Sequence, residues 1–208
     1  MTEPHEHWAQ VYRTKAVDAV SWYQAKPAVS LALIADSGVA RDAPLIDVGG
    51  GASTLVDHLL AAGYSDLTVL DLAGEALARS RERLGGASAA RVHWLEADVT
   101  RFEPPRRYAL WHDRAVFHFL TGEPARTAYL ATVRRSLMPG GTVVLATFAL
   151  DGPARCSGLE VVRYDAAALH AAFGADFELQ DSRPDAHLTP GGSLQSFIYV
   201  RLRYAPRR

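Results

Sequence analysis

The chain has 208 residues, with 22 basic and 23 acidic side chains and a formal net charge of -1. This balance offers no general attraction to nucleic acid or to an anionic membrane, so we expect neither as a partner. The length suits a single domain over residues 1–208 with a large buried core. One cysteine, Cys156, leaves no intramolecular disulfide, and the amino-terminal residues show no signal-peptide or membrane-spanning pattern. We therefore expect a cytoplasmic protein.

Apolar periodicity predicts alternating strands and helices after a helical start, with no internal repeat. The predicted helices cover residues 4–16, 27–36, 54–62, 74–84, 123–137 and 165–173. The predicted strands cover residues 44–48, 67–71, 91–95, 108–112, 142–149, 176–181 and 194–203. This order implies right-handed crossovers and a doubly wound, mostly parallel α/β sheet of seven strands. About a dozen residues rich in proline and glycine connect the last two strands, too few for a helical crossover, so the last strand is predicted to be antiparallel.

A glycine turn follows the first strand. Residues 44–53 read PLIDVGGGAS, which predicts a strand, a tight turn and the start of a helix. Glycine lets the backbone approach a ligand closely, and the free amides of the helix favour polar or anionic groups. Asp71 ends the next apolar run, LTVLDL, where a carboxylate can accept both hydroxyls of a ribose. The two features together predict a pocket for a cofactor that contains adenosine.

The same glycine spacing also opens dinucleotide-binding folds. A dinucleotide fingerprint has a third glycine three residues after the second, and Thr54 occupies that position here. Asp47, directly before the turn, would place a carboxylate beside two phosphates and suits a cationic ligand better. The pattern favours S-adenosylmethionine, which carries an ammonium and a sulfonium group. A turn with a purely structural role is the alternative.

These residues resemble the class I, seven-strand methyltransferases that use S-adenosylmethionine. The first motif of that family is roughly D-x-G-x-G-x-G, and DVGGGAS matches it with Ser53 in place of the third glycine. LMPGGTVVLATF, residues 137–148, resembles the family's approach to its fifth strand. The resemblance covers about residues 44–150. It implies a Rossmann-like sheet in the order 3-2-1-4-5-7-6 with strand seven reversed.

The resemblance also implies a set of cofactor contacts. Asp71 would bind the ribose, Leu72 would pack on the adenine, and Asp98 would accept from the adenine amino group. Residues 1–40 would form a helical lid over a core of residues 41–208, and an aromatic ring in the lid would face the sulfonium; plain core packing is the alternative for these rings. The expected cofactor-binding residues are Asp47, Gly49, Gly50, Gly51, Ser53, Asp71, Leu72, Asp98, Val99, Tyr12 and Tyr23.

The segment YALWHDRAVFHFL, residues 108–120, ends the fourth strand at the same edge of the sheet. Asp113, His112 and His118 are our candidate catalytic residues there, and Arg114 and Phe117 are further candidates for the acceptor site. Asp113 could hold the cofactor's ammonium or orient a cationic acceptor, and either histidine could remove a proton near neutral pH. Packing in the core is the alternative for His118.

The long loop over residues 151–165 carries three further candidates for the acceptor pocket, Cys156, Glu160 and Arg163. No compact ligand spacing such as C-x-x-C is present, so we expect no metal. The resemblance implies a methyltransferase that moves a methyl group to a small-molecule thiol, amine or other heteroatom and releases S-adenosylhomocysteine. Small bacterial thiopurine and tellurite enzymes are similar in size and arrangement. A protein lysine methyltransferase and a non-catalytic cofactor-binding protein are the alternatives, and the oligomeric state is unknown.

Overall fold

A computed structural model describes residues 4–206 of the chain. The helices are α1 (Pro4–Thr14), α2 (Ala28–Asp36), α3 (Leu55–Ala61), α4 (Gly74–Ala89), α5 (Glu123–Ser136) and α6 (Ala166–Phe173), with 3₁₀ turns at Val17–Ala19 and Phe117–Phe119. The strands are β1 (Leu45–Val48), β2 (Leu67–Asp71), β3 (Val92–Glu96), β4 (Tyr108–Arg114), β5 (Leu137–Phe148), β6 (Arg155–Cys156), β7 (Leu159–Glu160), β8 (Phe177–Leu188) and β9 (Leu194–Tyr204). Within the described residues, no helix has the length and apolar character needed to cross a membrane.

Seven strands form one sheet in the order β3-β2-β1-β4-β5-β9-β8. β1 to β5 pair in parallel, and β9 runs antiparallel to both of its neighbours. This confirms the predicted doubly wound sheet with one reversed strand. The winding direction changes between β1 and β4, where Val48 pairs with Asp113. Open α/β sheets bind ligands beyond the carboxyl ends of the strands at this switch point.

Helices cover both faces of the sheet, so its central strands are buried on both sides. Alternate residues of β4 therefore point to opposite layers. Leu110 packs in one core with residues of α2 and α3, and Trp111 packs in the other with residues of α5 and α6. The same alternation places His112 and Arg114 on the side of α2 and Asp113 on the side of α5.

Several predicted boundaries differ from the structure. The first helix stops at Thr14 instead of residue 16, and β4 continues two residues beyond 112, to Arg114. α4 continues past residue 84 to Ala89, across a kink at Gly85, whose φ of 72° breaks the helix where glycines predicted its end.

The largest differences lie in the second half of the sheet. β5 begins at Leu137 instead of residue 142, with a register shift against β4. β8 runs to Leu188 instead of residue 181, because it pairs with β9 over the full length of the hairpin. The loop over residues 151–165 contains a small hairpin, β6 and β7, that no periodicity predicted.

Candidate active site

The turn after β1 has no room for an added side chain at Gly49 or at Gly50. Gly49 has a φ of 68°, and a methyl group there would overlap the side chain of Val116. A methyl group on Gly50 would overlap the carboxylate of Asp47. The turn therefore passes close to two neighbouring groups, and residues with a side chain would force it outward.

A buried chain of hydrogen bonds supports this turn. Nδ1 of His112 lies 2.7 Å from Oδ1 of Asp47, and Nε2 lies 2.8 Å from Oγ of Ser30. All three side chains are buried. These two hydrogen bonds connect Asp47 on β1 to Ser30 on α2, with the imidazole of His112 between them.

Asp71, at the end of β2, accepts two backbone hydrogen bonds. The amide of Gly51 donates to Oδ2 at 3.0 Å, and the amide of Ala73 donates to Oδ1 at 2.9 Å. Burial raises the pKa of this carboxyl to about 6. Each carboxylate oxygen keeps a second lone pair for a ligand. The two amides therefore orient the carboxylate and leave both oxygens able to accept from a ligand.

Asp98 lies beyond β3 and turns one carboxylate oxygen towards its own chain. Oδ1 accepts from the amide of Thr100 at 2.8 Å and from its hydroxyl at 2.7 Å. Oδ2 has no hydrogen bond to any residue in the described range 4–206. A carboxylate held in this way presents a free acceptor to the cavity that it lines.

A cavity of about 710 Å³ opens beyond the carboxyl ends of the central strands. A recess of about 50 Å³ adjoins it. The cavity wall includes six of the predicted cofactor residues, Tyr12, Gly49, Asp71, Leu72, Asp98 and Val99. The recess is lined by Asp47, Gly50, Ser53 and Tyr23, together with Tyr12 and Gly49 again. Of the predicted set, Gly51 alone is on neither wall, and its amide is bound to Asp71.

The amino-terminal segment forms a roof over the cavity. Trp8 on α1 makes edge contacts with Trp22 and Phe119, at ring-centre distances of 5.7 and 5.1 Å. The guanidinium of Arg13 donates to the carboxylate of Glu75 at 2.8 Å, which ties α1 to α4. Both tryptophans line the cavity, so the segment takes the place expected of a lid.

Asp113 does not face the cavity. Its carboxylate accepts from the amides of Val116 and Phe117, at 2.8 and 3.2 Å, and from the hydroxyl of Tyr129 at 2.6 Å. The residue is fully buried, and burial raises its pKa to about 6. The expectation that Asp113 faces the methyl group is therefore corrected: the alternation of β4 turns it towards α5, where it holds the turn after the strand.

His118 also lies away from the cavity wall, which corrects the expectation that it faces the methyl group. Its Nδ1 accepts from the amide of Phe148 at 3.3 Å, and its ring packs against Phe119 and Phe148. Burial lowers its pKa to about 3, so the ring is neutral at physiological pH. His112 lines only the smaller recess, with both ring nitrogens engaged.

The other side of the cavity is aromatic, and the sequence predicted Arg114, Cys156 and Glu160 for the acceptor site but none of the phenylalanine rings on this side. Its wall brings together residues from distant parts of the chain: Trp22, Arg114, Phe119, Phe148, Cys156, Leu159, Glu160 and Phe197. Burial raises the pKa of the Cys156 thiol to about 11. Phe148 ends β5 and pairs with Phe197 of β9, a placement that only the antiparallel register of the two strands reveals.

Comparison with known proteins shows which proteins this chain is similar to. Residues 46–143 match the family model of a methyltransferase domain. A comparison with curated proteins found no match. Among solved structures, the S-adenosylmethionine-dependent methyltransferase of Anabaena variabilis ATCC 29413 is 14% identical with a TM-score of 0.74, over 98% of this chain and 96% of that one.

Two further structures share the fold. The 1,6-didemethyltoxoflavin-N1-methyltransferase of Burkholderia thailandensis, with 1,6-didemethyltoxoflavin and S-adenosylhomocysteine bound, is 22% identical with a TM-score of 0.71, over 99% of this chain and 92% of that one. The glycopeptide N-methyltransferase MtfA complexed with S-adenosylmethionine is 17% identical with a TM-score of 0.67, over 93% and 100% of the chains. The sheet order and these structures show the class I methyltransferase fold, and residues 46–143 of the chain are similar to a methyltransferase domain.

Proposed function

We propose that the protein transfers the methyl group of S-adenosylmethionine to a thiol, an amine or another heteroatom of a small molecule and releases S-adenosylhomocysteine. The observation that carries this proposal is one cavity with two different sides. Asp71 and Asp98 lie on the side of β2 and β3, and aromatic rings line the side of β4, β5 and β9. One side suits an adenosine group, and the other suits an apolar acceptor.

The donor groups on the first side fit the cofactor. The free Oδ2 of Asp98 can accept from the adenine amino group, and the remaining lone pairs of Asp71 can accept from the ribose hydroxyls. Leu72 and Val99 supply apolar surface for the adenine ring. We propose these four residues as the adenosine site.

We propose the adjoining recess as the site of the methionine part. Asp47, Gly50 and Ser53 line it, and the buried carboxylate there favours a cationic ammonium. Tyr12 lies on the walls of both spaces and Tyr23 on that of the recess. An aromatic face near the sulfonium contributes roughly 0.5 to 2 kcal/mol.

Bound S-adenosylmethionine supplies an electrophilic methyl group on a sulfonium. The chain's own contribution is to position the acceptor and to exclude water. Trp8 and Trp22 cover the cavity, which lowers the local dielectric and strengthens the remaining polar contacts. Alignment of an acceptor atom about 3 to 3.5 Å from the methyl carbon can supply several kcal/mol of the required barrier reduction.

The cavity wall offers little general-base chemistry. Among the described residues that line the larger cavity, none is a histidine, and the Cys156 thiol stays protonated at neutral pH because burial raises its pKa to about 11. We propose that the acceptor supplies its own available lone pair. Asp113 and His118 then act as positioning residues for the turn after β4, and His112 acts through Asp47.

Methylation of a protein lysine and cofactor binding without catalysis are the alternative functions. The roof over the cavity supports a small acceptor, because an extended protein segment would have to displace α1. The toxoflavin relative is named for a small-molecule acceptor and has that acceptor bound in its structure. We further propose that the enzyme works in the cytoplasm.

Calorimetric titration of the purified protein tests the cofactor site. We expect S-adenosylhomocysteine to bind with one site per chain and NAD not to bind. Asp71→Ala should lose about 2 to 4 kcal/mol of binding free energy, because charged hydrogen bonds contribute roughly 1.5 to 3 kcal/mol each. Glu82→Ala, an exposed acid on α4, is the matched control and should bind as the wild type does. Binding of NAD without S-adenosylhomocysteine would overturn the proposal.

A further inference from the structure

Arg114 places a positive charge on the aromatic side of the cavity. Its Nε donates to the hydroxyl of Tyr199 at 2.9 Å, and its Nη1 donates to the backbone oxygen of Trp22 at 3.0 Å. The guanidinium carbon lies 4.4 Å from the centre of the Phe197 ring. Contacts from β9 and the roof segment therefore fix the plane of the guanidinium group.

The remaining nitrogen of this group has no partner. Nη2 of Arg114 is buried and makes no hydrogen bond to any residue between positions 4 and 206. In the same range Arg114 forms no ion pair, and Glu160, the acid on this side of the cavity, is exposed on the β6–β7 hairpin. Buried donors in folded proteins are nearly always hydrogen-bonded. This indicates a partner that the chain does not supply.

The surroundings of the guanidinium are aromatic and largely apolar. Phe148 and Phe197 contact each other with a ring-centre distance of 4.8 Å, and Phe119 contacts Trp8 across the roof. Aromatic walls pack best against planar rings, either stacked or edge-on. The aromatic rings therefore suit a planar apolar part of a ligand, and the guanidinium suits an anionic group on the same ligand.

We propose that the methyl acceptor is a planar, largely apolar small molecule with an anionic oxygen, and that the guanidinium of Arg114, a residue of the cavity wall, binds this oxygen. The inference rests on the proposed methyl transfer, because it places the acceptor beside S-adenosylmethionine in the same cavity. Arginine suits this task because its donors are fixed in a plane that matches a carboxylate. An anion held at Arg114 fixes which edge of the acceptor faces the methyl group, so Arg114 determines specificity.

Two probes of nearly equal shape test the charge requirement. The affinities of 2-naphthoate and 2-naphthamide are measured by calorimetry on the full-length protein saturated with S-adenosylhomocysteine. We expect the wild type to bind the carboxylate at least about tenfold more tightly than the amide. Arg114→Gln should remove this preference, and Arg114→Lys, which keeps the charge without the planar fork, should retain part of it.

Arg41→Gln is the matched control. The guanidinium of Arg41 also stacks on an aromatic ring, 4.1 Å from the centre of Tyr64, but it is not on the cavity wall. This variant should keep the full preference for the carboxylate. Both substitutions remove one positive charge, so a difference between them cannot arise from net charge.

Every outcome of the probe titrations either supports or overturns the inference. Equal binding of the two probes, tighter binding of the amide, binding of neither, or an unchanged preference in Arg114→Gln would overturn it. The comparison of the two probes on the wild type remains a valid test even if a substitution unfolds the chain. Titration with S-adenosylhomocysteine distinguishes failure of the acceptor inference from failure of the proposed function. If S-adenosylhomocysteine binds and the preference for the carboxylate probe is absent, only the acceptor inference fails. If the wild type does not bind the cofactor product, the proposed function fails as well.

Discussion

Nδ1 of His112 lies 2.7 Å from Oδ1 of Asp47, and both side chains are buried beneath the glycine turn. A carboxylate can only accept, so Nδ1 is the donor of this pair, and Nε2 lies 2.8 Å from the hydroxyl oxygen of Ser30. The imidazole of His112 thus connects Asp47, which precedes the glycine turn, to helix α2.

Loss of this imidazole should destabilise the fold and the turn together. We expect His112→Ala to lower the free energy of unfolding by about 3 kcal/mol, because a buried carboxylate loses its partner. Ser30→Ala, which removes only the outer hydrogen bond, should cost about 1 kcal/mol. Urea unfolding measures both. Equal costs for the two variants would show that the carboxylate does not depend on His112.

Cofactor affinity should depend on pH through Asp71. Burial raises the pKa of this carboxyl to about 6 in the free protein. The ionised form accepts from the ribose hydroxyls, so binding of S-adenosylhomocysteine should weaken as the pH falls below 6, towards tenfold per unit. Titrations between pH 5 and 8 check this. Asp71→Asn should bind more weakly at pH 8 with a flatter profile, and an equally steep profile in that variant would assign the titration elsewhere.

His118 should make the folded state sensitive to acid. Its pKa is lowered to about 3 in the fold by burial, whereas an exposed histidine titrates near 6.5. Protonation therefore favours the unfolded chain, and this contribution to stability is complete above pH 6.5 and is lost as the pH falls towards 3. Relative to His118→Phe, the wild type should lose about 1.4 kcal/mol of unfolding free energy per pH unit in that window.

Urea unfolding of both proteins at pH 7, 6 and 5 measures the effect. His118→Gln, which also cannot titrate, should show the same pH dependence as His118→Phe despite its different shape. Parallel stability curves for the wild type and both variants would refute the assignment.

The roof residue Trp8 should matter for binding more than for folding. It lines the cavity and contacts Trp22 and Phe119. We expect Trp8→Ala to weaken binding of S-adenosylhomocysteine about tenfold, because the cavity loses apolar cover. Trp94→Ala is the matched control, since Trp94 lies on β3 outside the cavity wall. Similar affinities of the two variants would mean that α1 is not a functional lid.

The fold could be predicted from the sequence because its signals are local. The strand that contains Asp47 and the glycine at position 49 are adjacent in the chain, and the order of strands and helices limits the topology to a few arrangements. The extension of β8 could not be predicted, because the residues beyond 181 are mostly polar on an edge strand. Their pairing depends on β9 rather than on their own pattern.

The candidate site was less predictable than the fold. A strand alternates its side chains, and a shift of one position decides whether Asp113 or Arg114 reaches the cavity. Both end the same strand, so the sequence alone could not choose between them. The choice depends on the register of β4, which turns Asp113 to Tyr129 and Arg114 to Tyr199. The aromatic wall is likewise assembled from residues that are distant in the chain.

The most direct test of methyl transfer to a small molecule uses S-adenosylmethionine labelled in its methyl group. The protein is incubated with this cofactor and a cell extract, and the low-molecular-weight and protein fractions are counted separately. We expect label to enter the low-molecular-weight fraction as a new compound with the wild type and not with Asp71→Ala. Label that enters only a protein band, or no transfer above the Asp71→Ala level, would contradict the account.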